Sequence, residues 1–357
     1  MTPTATTPPP TADTGVVVCL QNRPHKAGAQ TCLWRLLVQT QKRWPSVLVT
    51  SKPGWLVEAC QQEGIPVLIH PFPNSRSLSG RLWQNRLFAR EVAARLEQAT
   101  LRPLLVQGND HQEGLLTVAL SRRLRVPAAL LLRDSGMRQE DYFKYQAPRC
   151  QWIAAIGQVL RDRVAGWDPA RTIHTLHDGI LPQEVQPPLP RRQQPPDRLL
   201  IIGSPQPHKG WADLVTALAM LEEQGILRTM AVDFTGDPPS PNRNDLDLRR
   251  LSRCTVRFLG RVNDFHALVR QYELVINPSR RESFGMAAIE VLASGVPLLS
   301  SRTGIIEQVI EDPRYLYPAG DAPALAAALS TLLHQWPTME PDIGRCQTLI
   351  LQRFPLE

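Results

Sequence analysis

Short apolar runs alternate with stretches of helical periodicity along almost the whole chain. In the first half, each run has the length of a buried strand, and the stretches between them have the apolar spacing of helices that cover a sheet. This alternation is typical of a doubly wound α/β domain with parallel strands. The predicted strands are Val16–Leu20, Val47–Thr50, Val67–Ile69, Leu104–Gln107, Ala128–Leu132 and Ile153–Ile156, with helices near residues 30–43, 54–63, 81–100 and 112–125.

A second pattern of the same kind follows a proline-rich, charged segment at residues 183–198. Proline disfavours both helix interiors and central strands, so this segment predicts a linker. The second pattern predicts another doubly wound α/β domain, and two such domains joined by a hinge would face each other across a ligand-binding cleft. Its predicted strands are Leu199–Ile202, Ala231–Thr235, Val256–Leu259, Leu274–Asn277, Val296–Ser300 and Tyr315–Tyr317.

The predicted organisation therefore has five parts. A Thr/Pro-rich disordered tail covers residues 1–14, and the first domain covers residues 15–182. After the linker at 183–198, the second domain covers residues 199–338, and a helical tail covers residues 339–357.

The most informative pattern of the chain follows the predicted strand Leu274–Asn277. Glu282 and Ser283 precede a helical pattern that Gly295 ends, and Ser283 is the predicted N-cap. Glu290 follows Glu282 by eight residues. Ligands of open α/β sheets bind where strands end and helices begin, so this junction is a predicted binding site.

The two glutamates are spaced to hold an extended ligand. Eight helical residues span roughly 12 Å, and the backbone N–H groups of Phe284, Gly285 and Met286 would lie between the carboxylates. A helix N-terminus favours phosphate, and carboxylates accept hydrogen bonds from hydroxyl groups. A sugar, a diphosphate and a ribose in line would fit this layout. The alternative is that Glu282 and Glu290 are solvated acids on an ordinary amphipathic helix.

The stretch from Pro278 to Glu290, with Gly295-Val296-Pro297 after it, resembles the C-terminal half of GT-B glycosyltransferases of retaining family 4, the glycosyl transferases of group 1. Members of that family have approximately the pattern P-S-x-x-E-x-F-G-x-x-x-x-E here. Their first glutamate contacts the donor sugar, their second binds the ribose, and the amides between them hold sugar and diphosphate. The resemblance implies these roles for Glu282, Glu290 and residues 283–286, on two Rossmann-like domains facing across a cleft.

The resemblance continues in the loop after the first strand of the second domain. The family has G-R-x(n)-K-G there, with the arginine and the lysine on the phosphates. This chain has Gly203, Lys209 and Gly210, but Ser204 takes the arginine position, and a hydroxyl does not replace a bidentate guanidinium. Lys209 is expected to neutralise the diphosphate; the alternative is a surface lysine.

Two further segments resemble parts of the family's cleft. Gly260, Arg261 and Val262 correspond to the strand and turn that contact the nucleotide base through backbone groups; a turn without a ligand is the alternative. Ala27 and Gly28 resemble the Gly-rich loop that approaches the donor phosphates or the acceptor. An ordinary turn between strand and helix is an equal alternative for that loop.

The first domain departs from the family at a strand end where many members have a histidine. Here Arg133 and Asp134 follow the strand, and Asp134 could accept a hydrogen bond from a substrate hydroxyl or cap the next helix. His111 could line the cleft or be a satisfied loop histidine. Asp178 replaces the asparagine of the family's N-G-[IV] turn and is expected to be structural. In the family the last helix often crosses back to the first domain, and the pattern of residues 343–354 could follow it.

Composition narrows the class of protein. The chain of 357 residues is long enough for two domains. Its longest apolar runs, about ten residues, are far shorter than a membrane span, and its start lacks the basic region of a secretory signal. A cytoplasmic location is therefore expected. The six cysteines form no CxxC pair, which predicts buried free thiols and no zinc site.

The net charge of +7 favours anionic partners. The sequence has no helix-turn-helix, RNP or zinc-finger pattern, so nucleic acid is not a predicted partner. A basic amphipathic helix is predicted from Arg81, with an apolar stripe of Phe88, Val92 and Leu96. It would either pack on its own core or contact an anionic membrane surface at the inner face of the membrane.

The resemblance, with these patterns, implies a retaining glycosyltransferase that moves a sugar from a nucleotide-diphosphate sugar to an unidentified glycan, lipid or small molecule. The first domain would bind the acceptor, and Lys209, Glu282 and Asp134 are the expected catalytic residues. The family implies no cofactor and no essential metal. The main alternative is a non-catalytic nucleotide-sugar-binding protein of the same fold, suggested by Ser204 and the missing histidine. A phosphate-using phosphorylase is a weaker alternative.

Overall fold

The computed structural model describes residues 15–41, 43–73, 83–190, 192–240, 246–336, 338 and 341–356. The tail predicted at residues 1–14 and the start of the predicted basic helix at Arg81 lie outside these residues. The chain forms two compact units, one ending at Asp178 and the other spanning Gly179–Pro355.

The first unit is built on a parallel sheet flanked by helices. In the described residues, the order of strands across the sheet is β3-β2-β1-β4-β5-β6-β7. Strands β1 to β3 are added in one direction and β4 to β7 in the other, so the strand order reverses between β1 and β4. The strands are β1 (Val16–Gln21), β2 (Ser46–Thr50), β3 (Val67–Ile69), β4 (Pro103–Gly108), β5 (Ala128–Leu132), β6 (Trp152–Ala155) and β7 (Ile173–Thr175). The helices are α1 (Gly28–Thr40), α2 (Trp55–Gln62), α3 (Asn85–Gln98), α4 (Gly114–Leu124), α5 (Gln139–Lys144) and α6 (Gln158–Trp167).

Strand β1 is buried on both faces, because helices cover both sides of the sheet. Val18 and Leu20 point to one core, where the predicted stripe of α3 packs against them. Cys19 points to the other core, with Leu33 and Leu37 of α1. This two-sided burial explains why β1 is a continuous apolar run rather than an alternating one.

The second unit repeats this architecture. Its described strands cross the sheet in the order β10-β9-β8-β11-β12-β13, and the chain reverses between β8 and β11. The strands are β8 (Arg198–Ile201), β9 (Met230–Phe234), β10 (Cys254–Phe258), β11 (Val275–Asn277), β12 (Leu298–Ser301) and β13 (Leu316–Tyr317). The helices are α7 (Trp211–Glu223), α8 (Phe265–Val269), α9 (Met286–Ala293), α10 (Ala322–His334) and α11 (Ile343–Arg353).

The predicted fold class, two doubly wound α/β domains, is confirmed. Every predicted strand is present to within two residues at each end. Strand β7 was not predicted, because its three residues, Ile173-His174-Thr175, contain only one apolar side chain. The predicted N-cap at Ser283 is wrong: α9 begins at Met286, and Gly285 is the N-cap residue, in a left-handed conformation with φ of 100°.

The proline-rich segment and the last helix are both bonded to the second unit. The backbone N–H of Gln186 donates to the carbonyl of Ala293 at 2.8 Å, and that of Leu189 donates to Gly295 at 2.9 Å. In α11, the Gln347 side chain donates to the carbonyls of Gln186 and Leu292. These bonds fix the C-terminal end of α9, whose N-terminal end lies at the candidate site.

Candidate functional site

The loops that follow β8 and β11 meet where the second sheet reverses. The loop after β8 contains Lys209, and the loop after β11 contains Glu282. The Lys209 ammonium lies 2.7 Å from Glu282 Oε1, and the two side chains are 21% and 15% exposed. A position between diverging loops at the carboxyl ends of parallel strands is where open α/β sheets bind their ligands. The structure therefore brings together two residues that the sequence assigned to one site from separate patterns.

Glu282 is oriented by a second hydrogen bond. The Ser279 hydroxyl donates to the same Oε1 atom at 2.7 Å. Ser279 is itself fully buried, and its carbonyl accepts a bond from the Ser301 hydroxyl at the end of β12. The carboxylate is thus fixed by groups from three neighbouring strand ends, β8, β11 and β12.

Close backbone contacts hold the Glu282 loop between its neighbours. The Arg280 N–H donates to the carbonyl of His208 at 2.8 Å, and the Ile305 N–H donates to that of Phe284 at 3.0 Å. A Cβ atom at Gly210 would overlap the carbonyl oxygen of Pro278, and one at Gly304 would overlap that of Phe284. Both glycines have positive φ, so any other residue would be strained there.

Helix α9 begins at Met286, later than the predicted spacing of the two glutamates assumes. Glu282 precedes the left-handed turn at Gly285, and only Glu290 lies within α9. The expected rise along one helix therefore does not apply, although both side chains are partly exposed. The Phe284 ring is buried against Phe354, with ring centroids 5.2 Å apart, so Phe284 can face a ligand only through its backbone.

Glycines at the ends of β8, β9 and β10 form a backbone surface beside this loop. Gly203 has a φ of 129°, and its N–H donates to the Thr235 hydroxyl at 3.0 Å. Gly236 and Gly260 are paired by reciprocal hydrogen bonds of 2.9 and 3.0 Å. The sequence did not single out Thr235, because a threonine at a strand end has no distinctive spacing. Ser204, Gly260 and Val262 are partly exposed, and Arg261 is exposed.

A small cavity adjoins the Lys209 loop. It has a volume of about 200 Å³ and is lined chiefly by Pro205, Pro207, Trp211 and Arg280. Neither Lys209 nor Glu282 lines this cavity.

The predicted residues of the first unit are distributed differently. Asp134 is exposed, and its carboxylate accepts a bond from the Gly136 N–H at 2.6 Å, which is the turn-capping arrangement. His111 is 4% exposed, bonded to the Asp110 carboxylate at 3.0 Å and stacked edge-on against Tyr145. This is the arrangement of a satisfied loop histidine. Ala27 and Gly28 are exposed at the start of α1.

A buried ion pair lies at the strand ends of the first unit. Arg133 Nη1 contacts both carboxylate oxygens of Asp178, at 2.5 and 2.6 Å, and its Nε donates to Asn109 at 2.9 Å. Burial lowers the pKa of Arg133, but Asp178, Cys32 and Asp110 together outweigh that effect, and the net shift is upward. The ion pair ties the end of β5 to the segment after β7.

The described residues contain no group of three or more His, Cys, Asp or Glu side chains arranged to hold a metal ion. All six cysteines are free thiols, and five are buried. Burial raises the pKa of the Cys19 and Cys150 thiols to about 12. Among the described helices, none is both long and apolar enough to span a bilayer.

The match to a known protein family lies within the second unit. Residues 196–335 match the family model of the glycosyl transferases group 1. The D-inositol 3-phosphate glycosyltransferase of Corynebacterium glutamicum (strain R) is 34% identical over 141 residues, which cover 37% of this chain and 34% of the relative. The phosphatidyl-myo-inositol mannosyltransferase of Mycobacterium leprae is 39% identical over 83 residues, 22% of each chain. The chain thus matches about a third or less of the length of these relatives.

Similarity to solved structures extends over both units. Anabaena Alr3699/HepE, solved in complex with UDP and glucose, has a TM-score of 0.75 at 18% identity and covers 96% of each chain. A glycosyltransferase from Rickettsia africae has a TM-score of 0.74 at 14% identity, covering 96% of this chain and 95% of its own. At these identities the similarity establishes the fold, which is GT-B.

The class defined by the fold and the strand-end site is therefore that of GT-B proteins. Within this class, residues 196–335 match the group 1 glycosyl transferases. The resemblance stated from the residue pattern around Glu282 and Glu290 is confirmed over that part of the chain.

The interlocked loops predict different effects at two glycines with the same backbone angle. Gly210 and Gly225 both have φ of 68°, but a Cβ at Gly225 would have open space around it. Gly225→Ala should lower the free energy of unfolding by about 1 kcal/mol, the cost of a left-handed alanine. Gly210→Ala should cost roughly 2 kcal/mol more, because its Cβ also collides with backbone. Denaturant unfolding measures both, and equal losses would contradict the interlocking of the two loops.

Proposed function

We propose that the protein is a retaining glycosyltransferase that moves a sugar from a nucleotide-diphosphate sugar to a hydroxyl group of an acceptor. The observation that carries the proposal is the contact of Lys209 with Glu282 at the reversal point of the second sheet. The segment that matches the family contains both residues, and also Glu290 and Gly260.

The donor would bind along the strand ends of the second unit. Its diphosphate would take Lys209 as a counter-ion and accept hydrogen bonds from the first N–H groups of α9, which have no partner within the helix. Sugar hydroxyls would donate to Glu282, and ribose hydroxyls would donate to Glu290. The base would lie against the backbone of Gly260 to Val262. Ser204 would contribute a single hydroxyl where the family has an arginine.

The proposed chemistry needs charge stabilisation more than a protein nucleophile. The bond from the anomeric carbon to the diphosphate oxygen breaks, and that oxygen gains negative charge. A positive group fixed beside the oxygen stabilises this change, and fixed donors of this kind are typically worth several kcal/mol. The acceptor hydroxyl would attack the anomeric carbon from the same face and pass its proton to the departing diphosphate oxygen, which retains the anomeric configuration. No cofactor or metal ion takes part in this proposal.

The relatives' names suggest acceptors that carry both a hydroxyl and an anionic group. They include a D-inositol 3-phosphate glycosyltransferase and an N-acetyl-alpha-D-glucosaminyl L-malate synthase of Bacillus anthracis, which is 36% identical over 80 residues. The net charge of +7 suits such a molecule. We propose an acceptor of this type in the first unit, without assigning a particular glycan, lipid or small molecule.

Thermal unfolding with UDP, GDP and ADP, each with and without its common sugars, tests the donor site. One nucleotide series should raise the midpoint, because a ligand at 100 times its Kd adds about 2.7 kcal/mol. Glu290→Ala should abolish the shift. Glu223→Ala, which removes an exposed acid of α7 away from these loops, should leave it unchanged. If no nucleotide shifts the midpoint, or if Glu290→Ala responds as wild type does, the donor assignment is wrong.

The non-catalytic alternative predicts a different result with the same samples. Incubated with the nucleotide sugar that binds and with an extract of polar metabolites and lipids, a transferase releases nucleoside diphosphate and forms a new glycoside. A binding protein does neither, although its midpoint shifts. The anomeric proton coupling of the product then distinguishes retention from inversion.

We also propose peripheral contact with the inner face of an anionic membrane, which implies a cytoplasmic protein. The apolar stripe of α3 is buried in the core, so it cannot make this contact. The solvent side of this segment has two exposed apolar side chains, Trp83 at 73% and Leu87 at 46%. Arg86 and Arg90 beside them are also exposed. Aromatic and aliphatic side chains flanked by arginine are typical of surfaces that insert shallowly into anionic bilayers.

Co-sedimentation with vesicles tests this contact. Wild-type protein should bind phosphatidylcholine vesicles that contain about 30% phosphatidylserine, an anionic content on the order of the physiological one. Binding should weaken as the salt concentration rises. The double variant Trp83→Ser with Leu87→Ser should lose most of the binding. Exposed Phe143 and Val159 lie elsewhere on the first unit, so Phe143→Ser with Val159→Ser is a matched control. Equal binding of both double variants would contradict the proposed surface.

A further inference from the structure

Glu113 is a buried carboxyl group that the site described above does not use. It ends the short helical turn His111–Glu113, directly after β4, where the first sheet reverses between β1 and β4. The residue is 4% exposed. Its Oε1 accepts a hydrogen bond from the backbone N–H of Asn22 at 3.2 Å. Its Oε2 is buried and has no hydrogen-bond partner among the described residues.

The bond to Asn22 reaches the loop between β1 and α1, residues 22–27. On its other side this loop is bonded to the segment between β2 and α2. The Ser51 hydroxyl donates to the Asn22 carbonyl at 2.5 Å, and the Leu56 N–H donates to the Pro24 carbonyl at 2.9 Å. Glu113 is therefore the ionisable partner in a set of contacts that fix this loop.

The same loop ends at Ala27 and Gly28, both exposed at the start of α1. Asn109, which follows β4, donates from its side chain to the Ala29 carbonyl at 3.2 Å. The start of α1 is therefore exposed at the strand ends where the first sheet reverses. The contacts of residues 22–27 fix the loop that leads into it. In the proposed function this unit binds the acceptor.

Two charged groups act on Glu113, and both lie on its own turn: Asp110 and His111. Arg133 and Asp134 follow the neighbouring strand β5, and Asp178 follows β7. Burial raises the pKa of Glu113 to about 7, with a further increase from Asp110, while the Asn22 N–H and His111 act in the opposite direction. The pKa of His111 is itself raised: burial lowers it, but Asp110, Asp134 and Glu113 outweigh that effect. Arg133 is paired with Asp178 and therefore does not neutralise Glu113.

We propose that Glu113 is a positioning residue: through the Asn22 N–H it holds the β1–α1 loop in the arrangement that the acceptor needs, and loss of the proton from its carboxyl group releases the loop. This inference rests on the proposed function for its consequence in catalysis, but the loop itself can be observed independently. A buried carboxylate is much more costly than a neutral acid in the same place, and the single bond from Asn22 does not replace the water that the charged group loses. Opening the loop would hydrate the carboxylate, so ionisation favours the open arrangement.

The direction of the pH effect follows from the raised pKa of Glu113 in the closed arrangement. Below about pH 7 the acid is neutral and the loop is held; above it, the buried carboxylate is ionised and the loop opens more often. Transfer to the acceptor should fall as the pH rises through this range. Donor binding, which the proposal assigns to the second unit, should not depend on Glu113.

Hydrogen exchange measured by mass spectrometry tests the inference on the full chain. After correction for the intrinsic exchange rate, a peptide covering residues 20–30 should be about tenfold better protected at pH 6 than at pH 8. Glu113→Gln should remove this pH dependence, since an amide does not titrate. Glu97→Gln removes an exposed acid of the same unit, on α3, and should leave the pH dependence intact.

The outcomes separate this inference from the proposed function. Protection that is flat with pH in the wild-type chain overturns the role of Glu113, even if Glu113→Gln fails to fold. A pH-dependent loop that persists in Glu113→Gln also overturns it. A pH-dependent loop lost in Glu113→Gln supports it even if no sugar is transferred, a result that would count only against the proposed function. Where transfer is measurable, Glu113→Gln should keep KM for the acceptor near its low-pH value and flatten its pH profile, with the donor Kd unchanged.

Discussion

The contact between Lys209 and Glu282 is the interaction on which the candidate site depends. It joins the loops that follow β8 and β11. These strands are adjacent in the sheet, whereas Lys209 and Glu282 are 73 residues apart along the chain. Both groups are partly exposed, and a pair of that kind adds little to stability. Its importance is geometric. It places a fixed positive charge and a fixed carboxylate at one point of the sheet edge, where a charged and hydroxylated ligand would need both.

The surrounding structure serves this placement. Gly210 and Gly304 allow the Glu282 loop to pass against backbone on both sides, and Ser279 orients the carboxylate from below. The left-handed turn at Gly285 then directs the chain into α9, whose first N–H groups face the same sheet edge. Because the loop is fixed by main-chain bonds, the site depends less on the identity of exposed side chains such as Ser204. This is a physical reason why a chain without the family's arginine can keep the arrangement of Lys209 and Glu282.

Much of the fold could be predicted because buried parallel strands are marked by continuous apolar runs. Lys209, Glu282 and Glu290 could be assigned because each belongs to a residue pattern with a resemblance to a family. The start of α9 could not, since Ser283 has the composition of an N-cap and only the backbone angle of Gly285 decides otherwise. Glu113 and Thr235 were missed for a related reason. Their importance comes from burial and from hydrogen bonds across the sheet, which leave no spacing in the sequence.

The strand ends of the two sheets carry different chemistry. In the second unit the Lys209 ammonium and the Glu282 carboxylate are partly exposed, whereas in the first unit the Arg133–Asp178 pair and Glu113 are buried. Exposed groups can exchange protein partners for a ligand. Buried groups can only shape what surrounds them, so the first unit would act on its ligand through its loops.

Calorimetric titration of UDP, GDP and ADP into wild-type protein and Glu282→Gln tests the central claim most directly. If Lys209 leaves Glu282 to bind a diphosphate, removing the competing carboxylate should tighten binding of the sugar-free nucleotide by up to about tenfold, or 1.4 kcal/mol. The matching nucleotide sugar should gain much less, because it loses the bonds from its hydroxyl groups to Glu282. Equal or weaker binding of the nucleoside diphosphate by Glu282→Gln would show that Lys209 and Glu282 do not share a donor site.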